Sequence, residues 1–339
     1  MKRTKTPTLE DVARRAGVST ATISRAVNTP DRVAGETRKR IDAAIDALGY
    51  TPNFGGRVLA SNRSNTVGAI IPSMANAMFA NGLQAFQEEL SEAGVMMLVA
   101  STGYDPDEEL RQIRALMAHG ADGLLLIGAE RPEATRRFLT LRHVPHVLGW
   151  CHTDTPGQLF AGFDNRRAAY DATRRVLEMG HRRIAMIAGI AEGNDRARDR
   201  QAGVVAAVRD NGDAARMVGV EEAPYLLDDG ARAFAAIMAQ GTRPTAIICG
   251  NDVLAAGAVV EAARMGIRVP RDVSVVGFDD IGLARVAHPA LTTVRVPQLE
   301  MGRGAARLLL RRLAGESDLR SLEFETELVM RDSLAPPAD

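Results

Sequence analysis

Cysteine is nearly missing from this chain. Its only two, Cys151 and Cys249, stand far apart, each inside an apolar run. A disulfide framework is therefore excluded, and a reducing cytoplasm is the expected compartment. Long hydrophobic runs are missing as well: none reaches the roughly eighteen residues that a membrane span requires. The first residues are basic but lead into proline and acidic positions rather than an apolar stretch, unlike a secretory signal. The expectation is a chain neither inserted nor exported, with no membrane partner.

Motifs of enzymatic chemistry are absent too. No G-x-x-x-x-G-K-[S/T] loop or G-x-G-x-x-G fingerprint offers a cradle for nucleotide phosphates, and no G-x-S-x-G elbow offers an acyl-transfer nucleophile. His143, His146, Cys151 and His152 cluster in sequence, but they straddle one predicted strand at a spacing unlike any familiar zinc pattern. Loop histidines explain them more simply. The chain is read as a non-enzyme that needs neither metal nor cofactor.

Net charge is zero over the whole chain, yet residues 1–63 carry twelve Lys and Arg against six Asp and Glu. All three lysines, Lys2, Lys5 and Lys39, lie there. Such asymmetry fits an arm that meets a polyanion, attached to a body that does not; the bland alternative is a solvated basic face. The 339 residues, 46% apolar, amount to two or three domains with real cores.

The arm contains "TLEDVARRAGVSTATISRAVN", residues 8–28. Thr8 caps a helix whose apolar positions Leu9, Val12, Ala13 and Ala16 follow i, i+3, i+4, i+7 spacing, with Asp11 completing a capping box. Gly17 stops it, and Ser19 caps a second helix that buries Ile23, Ala26 and Val27. A third run, with Ile41, Ala44, Ile45 and Leu48 on one face, ends at Gly49 and completes a small core. This is a helix-turn-helix. The second helix exposes Thr20, Ala21, Thr22, Ser24 and Arg25: short groups that let a backbone approach a groove, then a guanidinium able to fork onto guanine. An ordinary helical hairpin with a solvent-facing arginine remains the alternative on geometry alone.

Residues 8–60 resemble the DNA-binding head of the lactose-repressor (LacI/GalR) family, and the likeness continues to about residue 330. The resemblance implies that Thr20, Ala21 and Arg25 face base edges of double-stranded operator DNA. It also implies that Ser19, Thr22, Ser24 and Asn28 hold phosphates and that Arg32 reaches DNA from the following loop. It further implies a hinge helix in "PNFGGRVLAS", residues 52–61, which carries Asn53 and levers Leu59 between base pairs in the minor groove. Two departures stand out. Ala34 and Gly35 replace a serine cap on the third helix, and Gly55 and Gly56 weaken the hinge by about 0.5–1 kcal/mol each relative to alanine. A hinge that orders only on the operator is the consequence expected.

Beyond residue 63, short apolar runs ("TVGAII", "VMMLVAS", "DGLLLIG", "HVLGW", then "RRIAMIAG", "TAIICG", "VSVVGF") alternate with amphipathic segments such as 106–119 and 165–179. These are βαβ units with buried parallel sheets. The expected architecture is an all-α helix-turn-helix head (1–50), a hinge (51–63) and an α/β periplasmic-binding-protein-like body (64–330). The body comprises two doubly wound parallel-sheet subdomains. One spans about 64–164 with return segments after 293, the other about 165–292, and a tail (331–339) follows.

Two such lobes enclose a cleft lined by strand ends. Asn251 follows "TAIICG", Asp279 ends "VSVVGFD", and Arg200 lies in "NDRARDRQAG"; carboxylate, amide and guanidinium together suit a polyhydroxylated ligand. The resemblance assigns the same three to effector binding and adds Asn76, Phe79 and Trp150. The ring of Trp150 either stacks on a sugar face or packs beneath the cleft, and Asp279 either binds ligand or serves a turn. "STGYDPDEEL" and "AGFDN" resemble the gluconate-repressor branch, which implies a sugar acid or related sugar. The expected protein is a repressor, a homodimer whose operator affinity a small effector controls. The competing class is a plain sugar-binding or sugar-processing α/β protein whose hairpin serves another partner. A steep loss of DNA affinity with salt would exclude it. The last residues carry no leucine heptads that would argue for a tetramer.

Overall fold

The computed structural model describes residues 7–28, 30–51, 63–75 and 77–338. They fall into two units, 1–64 and 65–339. The first is built on α1 (Leu9–Ala16), α2 (Thr20–Asn28), a 3-10 turn at Pro30–Arg32 and α3 (Gly35–Leu48). The caps explain the boundaries. Thr8 Oγ1 accepts the Asp11 N–H at 3.3 Å while Asp11 Oδ2 accepts that of Thr8 at 2.9 Å, closing the expected box. Gly17, at φ +66°, ends α1 in the left-handed region. Ser19 Oγ then accepts the Thr22 N–H at 3.2 Å and starts α2. Ala34 offers no side-chain bond to α3, as its chemistry dictates. Val12, Ala13, Ala16, Ile23, Ile41, Ala44 and Tyr50 form the core that all three helices share.

The second unit contains two six-stranded sheets. Sheet one runs β11-β5-β4-β3-β1-β2, from β1 (Thr66–Ile71), β2 (Met96–Ser101), β3 (Gly123–Ile127), β4 (His146–Gly149), β5 (Phe160–Gly162) and β11 (Leu322–Glu323), all parallel. Sheet two runs β12-β10-β9-β8-β6-β7. Its strands are β6 (Arg183–Gly189), β7 (Arg216–Ala223), β8 (Ala246–Cys249), β9 (Ser274–Asp279) and β10 (Thr292–Arg295), closed by the antiparallel β12 (Glu327–Val329). Central strands are apolar on both faces because helices cover both. In β6, Ile184, Met186 and Ala188 face one layer while Ala185 and Ile187 face the other.

In lobe one, α4 (Ala80–Glu92) packs against α12 (Gln298–Leu313), with α5 (Pro106–Ala118) and α6 (Glu133–Leu141) on the opposite face. A Cβ on Gly302 would stand 2.0 Å from Gly82 O, so glycine at both positions lets α4 and α12 approach backbone to backbone. In lobe two, α7 (Asn165–Glu178) pairs with α8 (Asp195–Asp210), and α9 (Leu227–Met238) with α10 (Asp252–Arg264); the short α11 (Gly282–Val286) abuts α10.

The chain crosses between lobes after β5, after β10 and again between β11 and β12. Only the return through α12 and β11 belongs to lobe one. The expected tail is a correction: Ser333 is wholly buried, its Oγ bonds Val275 O and Thr292 N, its carbonyl accepts the Val275 N–H, and Leu334 is buried too. Backbone pairing holds this segment, and backbone pairing leaves no hydrophobic period in a sequence.

Candidate functional site

In the first unit, α2 buries Ile23 and turns Thr20, Ala21, Ser24 and Arg25 to solvent. Arg25 stands one turn beyond Ala21, and Arg32 is exposed on the 3-10 turn that follows. The hydroxyls of Ser19 and Thr22 lie 2.9 Å apart, locked to one another and to the cap. They anchor the end of α2 whose free N–H groups and positive dipole attract phosphate. The Asn28 side chain, and Asn53, Leu59 and the whole expected hinge helix, lie outside the described residues.

In the second unit, the carboxyl ends of both sheets converge on one cleft. Phe79, Trp150, Arg200, Asn251 and Asp279 are each only 1–2% exposed there; Asn76 lies outside the described residues. Asn251 caps α10 through Oδ1, which accepts the Leu254 N–H at 2.9 Å, and its Nδ2 has no partner among the described residues. Arg200 reaches across from α8. Its Nε donates to Asn165 Oδ1 at 2.8 Å and its Nη1 to Gly250 O at 2.6 Å, and the guanidinium carbon sits 4.1 Å from the centre of the Phe278 ring. Asn165 in turn donates to Trp150 O at 3.0 Å, so an unbroken polar chain joins the strand ends of the two lobes.

Asp279 is the unusual member. Both its carboxylate oxygens are buried without a hydrogen bond among the described residues, and the nearest cation is Arg200, 3.9 Å away. Burial pushes its carboxyl up to about 7 against the pull of Arg200. Asp252 lies close by, its oxygens taking the Thr293 hydroxyl at 2.5 Å and the Ile281 N–H at 2.8 Å; burial and then the charge of Asp279 raise it to about 8. Asp280, the next residue, serves structure by pairing with Arg295 and Arg331.

The lobes also touch at the mouth of the cleft, beside a cavity of about 450 Å³ lined by Tyr104, Glu109, Arg131, Asp195 and Arg196, among others. Asp195 of lobe two accepts the Ala129 and Glu130 N–H groups of lobe one at 2.5 and 3.1 Å. Burial works against its ionisation, but Arg196 and those two N–H groups hold its carboxyl below the ordinary range. Among the described residues no group of three or more His, Cys, Asp or Glu is placed to hold a metal ion. Cys151 is buried with its thiol pushed up to about 12.

Comparison with known proteins assigns both units. Residues 8–53 match the family described as bacterial regulatory proteins, lacI family, and residues 173–334 match the periplasmic binding protein-like domain. The HTH-type transcriptional repressor PurR of Klebsiella pneumoniae (strain 342) is 34% identical over 337 residues, 97% of each chain. This chain belongs to the LacI family. It is a DNA-binding transcriptional regulator and not an enzyme. Among solved LacI-family structures, the Lac repressor dimer bound to operator and the anti-inducer ONPF superposes with a TM-score of 0.84 at 26% identity, covering 98% of this chain and 100% of that one. The transcriptional regulator CelR in complex with cellobiose gives 0.71 at 32%, covering 96% and 99%.

For this LacI-family regulator the geometry gathers Phe79, Trp150, Arg200, Asn251 and Asp279 as the sequence reading grouped them, and separates their roles. The Trp150 ring is taken up by packing: it meets Phe79 edge-on with centroids 5.6 Å apart and leaves no room for a Cβ on Gly82, so only its unpartnered Nε1 faces a polar role. Four residues escaped the reading. Asn165 ends the stretch "AGFDN" and opens a helix but was given no role, Asp252 was noted beside Asn251 at the strand end but not assigned to the site, and Asp195 and Arg196 sit in the same charged segment as Arg200. Only the other lobe distinguishes them from surface charges.

Proposed function

We propose that two copies of this chain hold a pseudo-palindromic operator through α2, and that a sugar or sugar-acid effector bound between the lobes sets their operator affinity. Ser19, Thr20, Ala21, Thr22, Ser24, Arg25, Asn28 and Arg32, with Asn53 and Leu59 of the hinge, form the DNA surface in this reading. Phe79, Trp150, Arg200, Asn251 and Asp279, with Asn76, form the effector site. The observation that carries it is the set of polar atoms buried at the strand ends with no partner among the described residues: both oxygens of Asp279, Nδ2 of Asn251 and Nε1 of Trp150. Unmade hydrogen bonds of this kind cost about 1–3 kcal/mol each. Vicinal hydroxyls satisfy them, since each hydroxyl donates to a carboxylate and accepts from an amide or indole N–H. The Arg200 guanidinium beside them favours an acid group on the same ligand. The cellobiose complex of CelR supports a saccharide.

Met96 and Val99 on the edge strand β2, with Leu226, Leu227 and Val260 in lobe two, are exposed apolar side chains that support a homodimer. No helix among the described residues is long and apolar enough to cross a membrane; with two buried free cysteines this supports a cytoplasmic protein. The test is a thermal-shift screen of sugars, sugar acids and nucleosides, followed by operator titration with the best ligand. A true effector changes operator affinity by about 1–3 kcal/mol, and operator binding weakens by roughly 0.9 log unit per phosphate contact for each log unit of salt. A protein that prefers no duplex over competitor, with or without these ligands, overturns the proposal.

A further inference from the structure

Lobe one contains a second cavity, of about 500 Å³, that no residue of lobe two lines. It lies between α6, the turn at 142–145, β4, the loop at 155–158 and the end of α12. Its charged walls are of one sign, Arg131, Arg136 and Arg312, beside the imidazoles of His143 and His146, and no aspartate or glutamate lines it. Arg131 and Arg136 do hold carboxylates, Glu109 and Glu133, but neither of those lines the cavity.

Arg312 is different. Its neighbours on α12, Arg307 and Arg311, are neutralised by Glu89 and Glu316, whereas Arg312 is half-buried and bonds only a carbonyl, that of His146 at 3.2 Å. No carboxylate lies within 4.0 Å of it among the described residues. A guanidinium removed from water without an anion is costly, and burial lowers its proton affinity accordingly. Burial also disfavours the charged form of His146, whose Nδ1 lies 2.8 Å from Val144 O. Arg131 is buried; its Nη atoms donate to Glu109 and to the Ile127 and Gly128 carbonyls, and its Nε has no partner among the described residues. Leu139, Val144 and Leu148 add apolar wall, and Thr140, Thr155 and Gln158 add polar groups.

We propose that this cavity is a binding site for a compact organic anion carrying two acid groups, carboxylate or phosphate, distinct from the effector cleft. One acid group neutralises Arg312 at the end of α12, the second lies against Arg136 and Arg131, and the body between them rests on Leu139 and Leu148. The volume suits a small metabolite. Arg131 and Arg136 also line the interlobe cavity, so Arg312 is the guanidinium that belongs to this cavity alone; Ala129 and Glu130 beside them bind Asp195 across the cleft, so an occupant here adjoins the contacts that hold the lobes together.

The test is isothermal titration of the full chain with pyrophosphate and, separately, with succinate, at ionic strength matched by sodium chloride. The two arms distinguish phosphate from carboxylate. Saturable binding of either anion is expected, weakened at least tenfold by Arg312→Gln and by Arg136→Gln, and unchanged in Asp279→Asn. Arg136 is exposed, so its variant retains the fold if Arg312→Gln does not. Absence of binding by both anions overturns the proposal. So does binding that survives both substitutions, which places the anion elsewhere, at the basic head or beside Arg200 in the cleft. The outcome is independent of whether a sugar occupies the cleft.

Discussion

Asp279→Asn is expected to make the ligand-free protein more stable at neutral pH, although it removes a residue of the proposed effector site. The carboxyl sits at about 7 in the fold against an ordinary 3.8. The folded chain therefore binds this proton more tightly than the unfolded chain does. Stability falls as pH rises from about 4 and levels off above about 7. At roughly 1.4 kcal/mol per pH unit the loss amounts to about 4 kcal/mol. Asparagine keeps the shape and cannot ionise. The pull of Arg200 is already contained in that raised value, and Arg200 keeps its bonds to Asn165 and Gly250; the expected gain at pH 7.5 is at most about 4 kcal/mol.

Urea unfolding followed by the fluorescence of Trp150, the only tryptophan, reads the effect at a series of pH values from 5 to 8. The wild type is expected to weaken across this range, and the variant to show a flatter profile. Part of the flattening comes from Asp252, which loses the neighbouring charge that helps to raise it. Asp252→Asn is the contrast. Both Asp252 oxygens already accept hydrogen bonds, so an amide N–H in place of one acceptor opposes a donor, at a cost of about 1–3 kcal/mol. Saturating effector should flatten the wild-type profile as well, because hydroxyls donating to Asp279 hold it ionised. Parallel profiles for wild type and Asp279→Asn between pH 5 and 8 would refute the reasoning.

Arg25→Ala should relax base preference at a single operator position at a cost of about 1–3 kcal/mol; binding selection that returns the wild-type consensus removes Arg25 from base reading. Gly302→Ala places a Cβ on Gly82 O and must push α4 and α12 apart, an overpacking cost of about 1–3 kcal/mol or more, read as a lower unfolding midpoint. An unchanged midpoint would mean that the helix pair yields freely. Asp195→Ala deprives the Ala129 and Glu130 N–H groups of their acceptor across the cleft. Effector should then bind about tenfold more weakly or worse, a loss of about 1.4 kcal/mol or more, with small-angle scattering reporting a more open unit; equal affinity and equal dimensions would contradict it.

What was legible in the chain follows from where each signal resides. Local chemistry wrote the head: Thr8, Asp11, Gly17 and Ser19 each determine a boundary within four residues of themselves, and the helices begin and end there. Buried strands were equally plain. "TVGAII" is β1, and "TAIICG" and "VSVVGF" contain β8 and most of β9. Other strands gave no comparable run. β5 has three residues, and β7, "RMVGVEEA", is an edge strand with charged and half-exposed positions, so its pairing with β6 leaves little apolar pattern. In the cleft, Asn251 and Asp279 were visible because they sit where apolar strands stop. Asp195 and Arg196 became functional candidates only when the second lobe came to face them.

Backbone conformation adds a property that composition cannot carry. Tyr104, Trp150, Asp279 and Asp280 all adopt positive φ, from 52° to 106°, and all stand at or beside the cleft. Side chains other than glycine disfavour this region, and each instance costs on the order of 1–3 kcal/mol. The sheets beneath hold Trp150, Asp279 and Asp280 there: β4 and β9 are central strands, each hydrogen-bonded on both sides. Strained backbone, an unpartnered buried carboxylate at Asp279 and unmade bonds at Asn251 and Trp150 therefore coincide at one place. Each raises the energy of the cleft, and the last three are ones that the proposed hydroxylated effector would relieve. A molecule that binds only where the lobes meet thus draws on free energy already stored there, which is what a shift between two lobe arrangements requires.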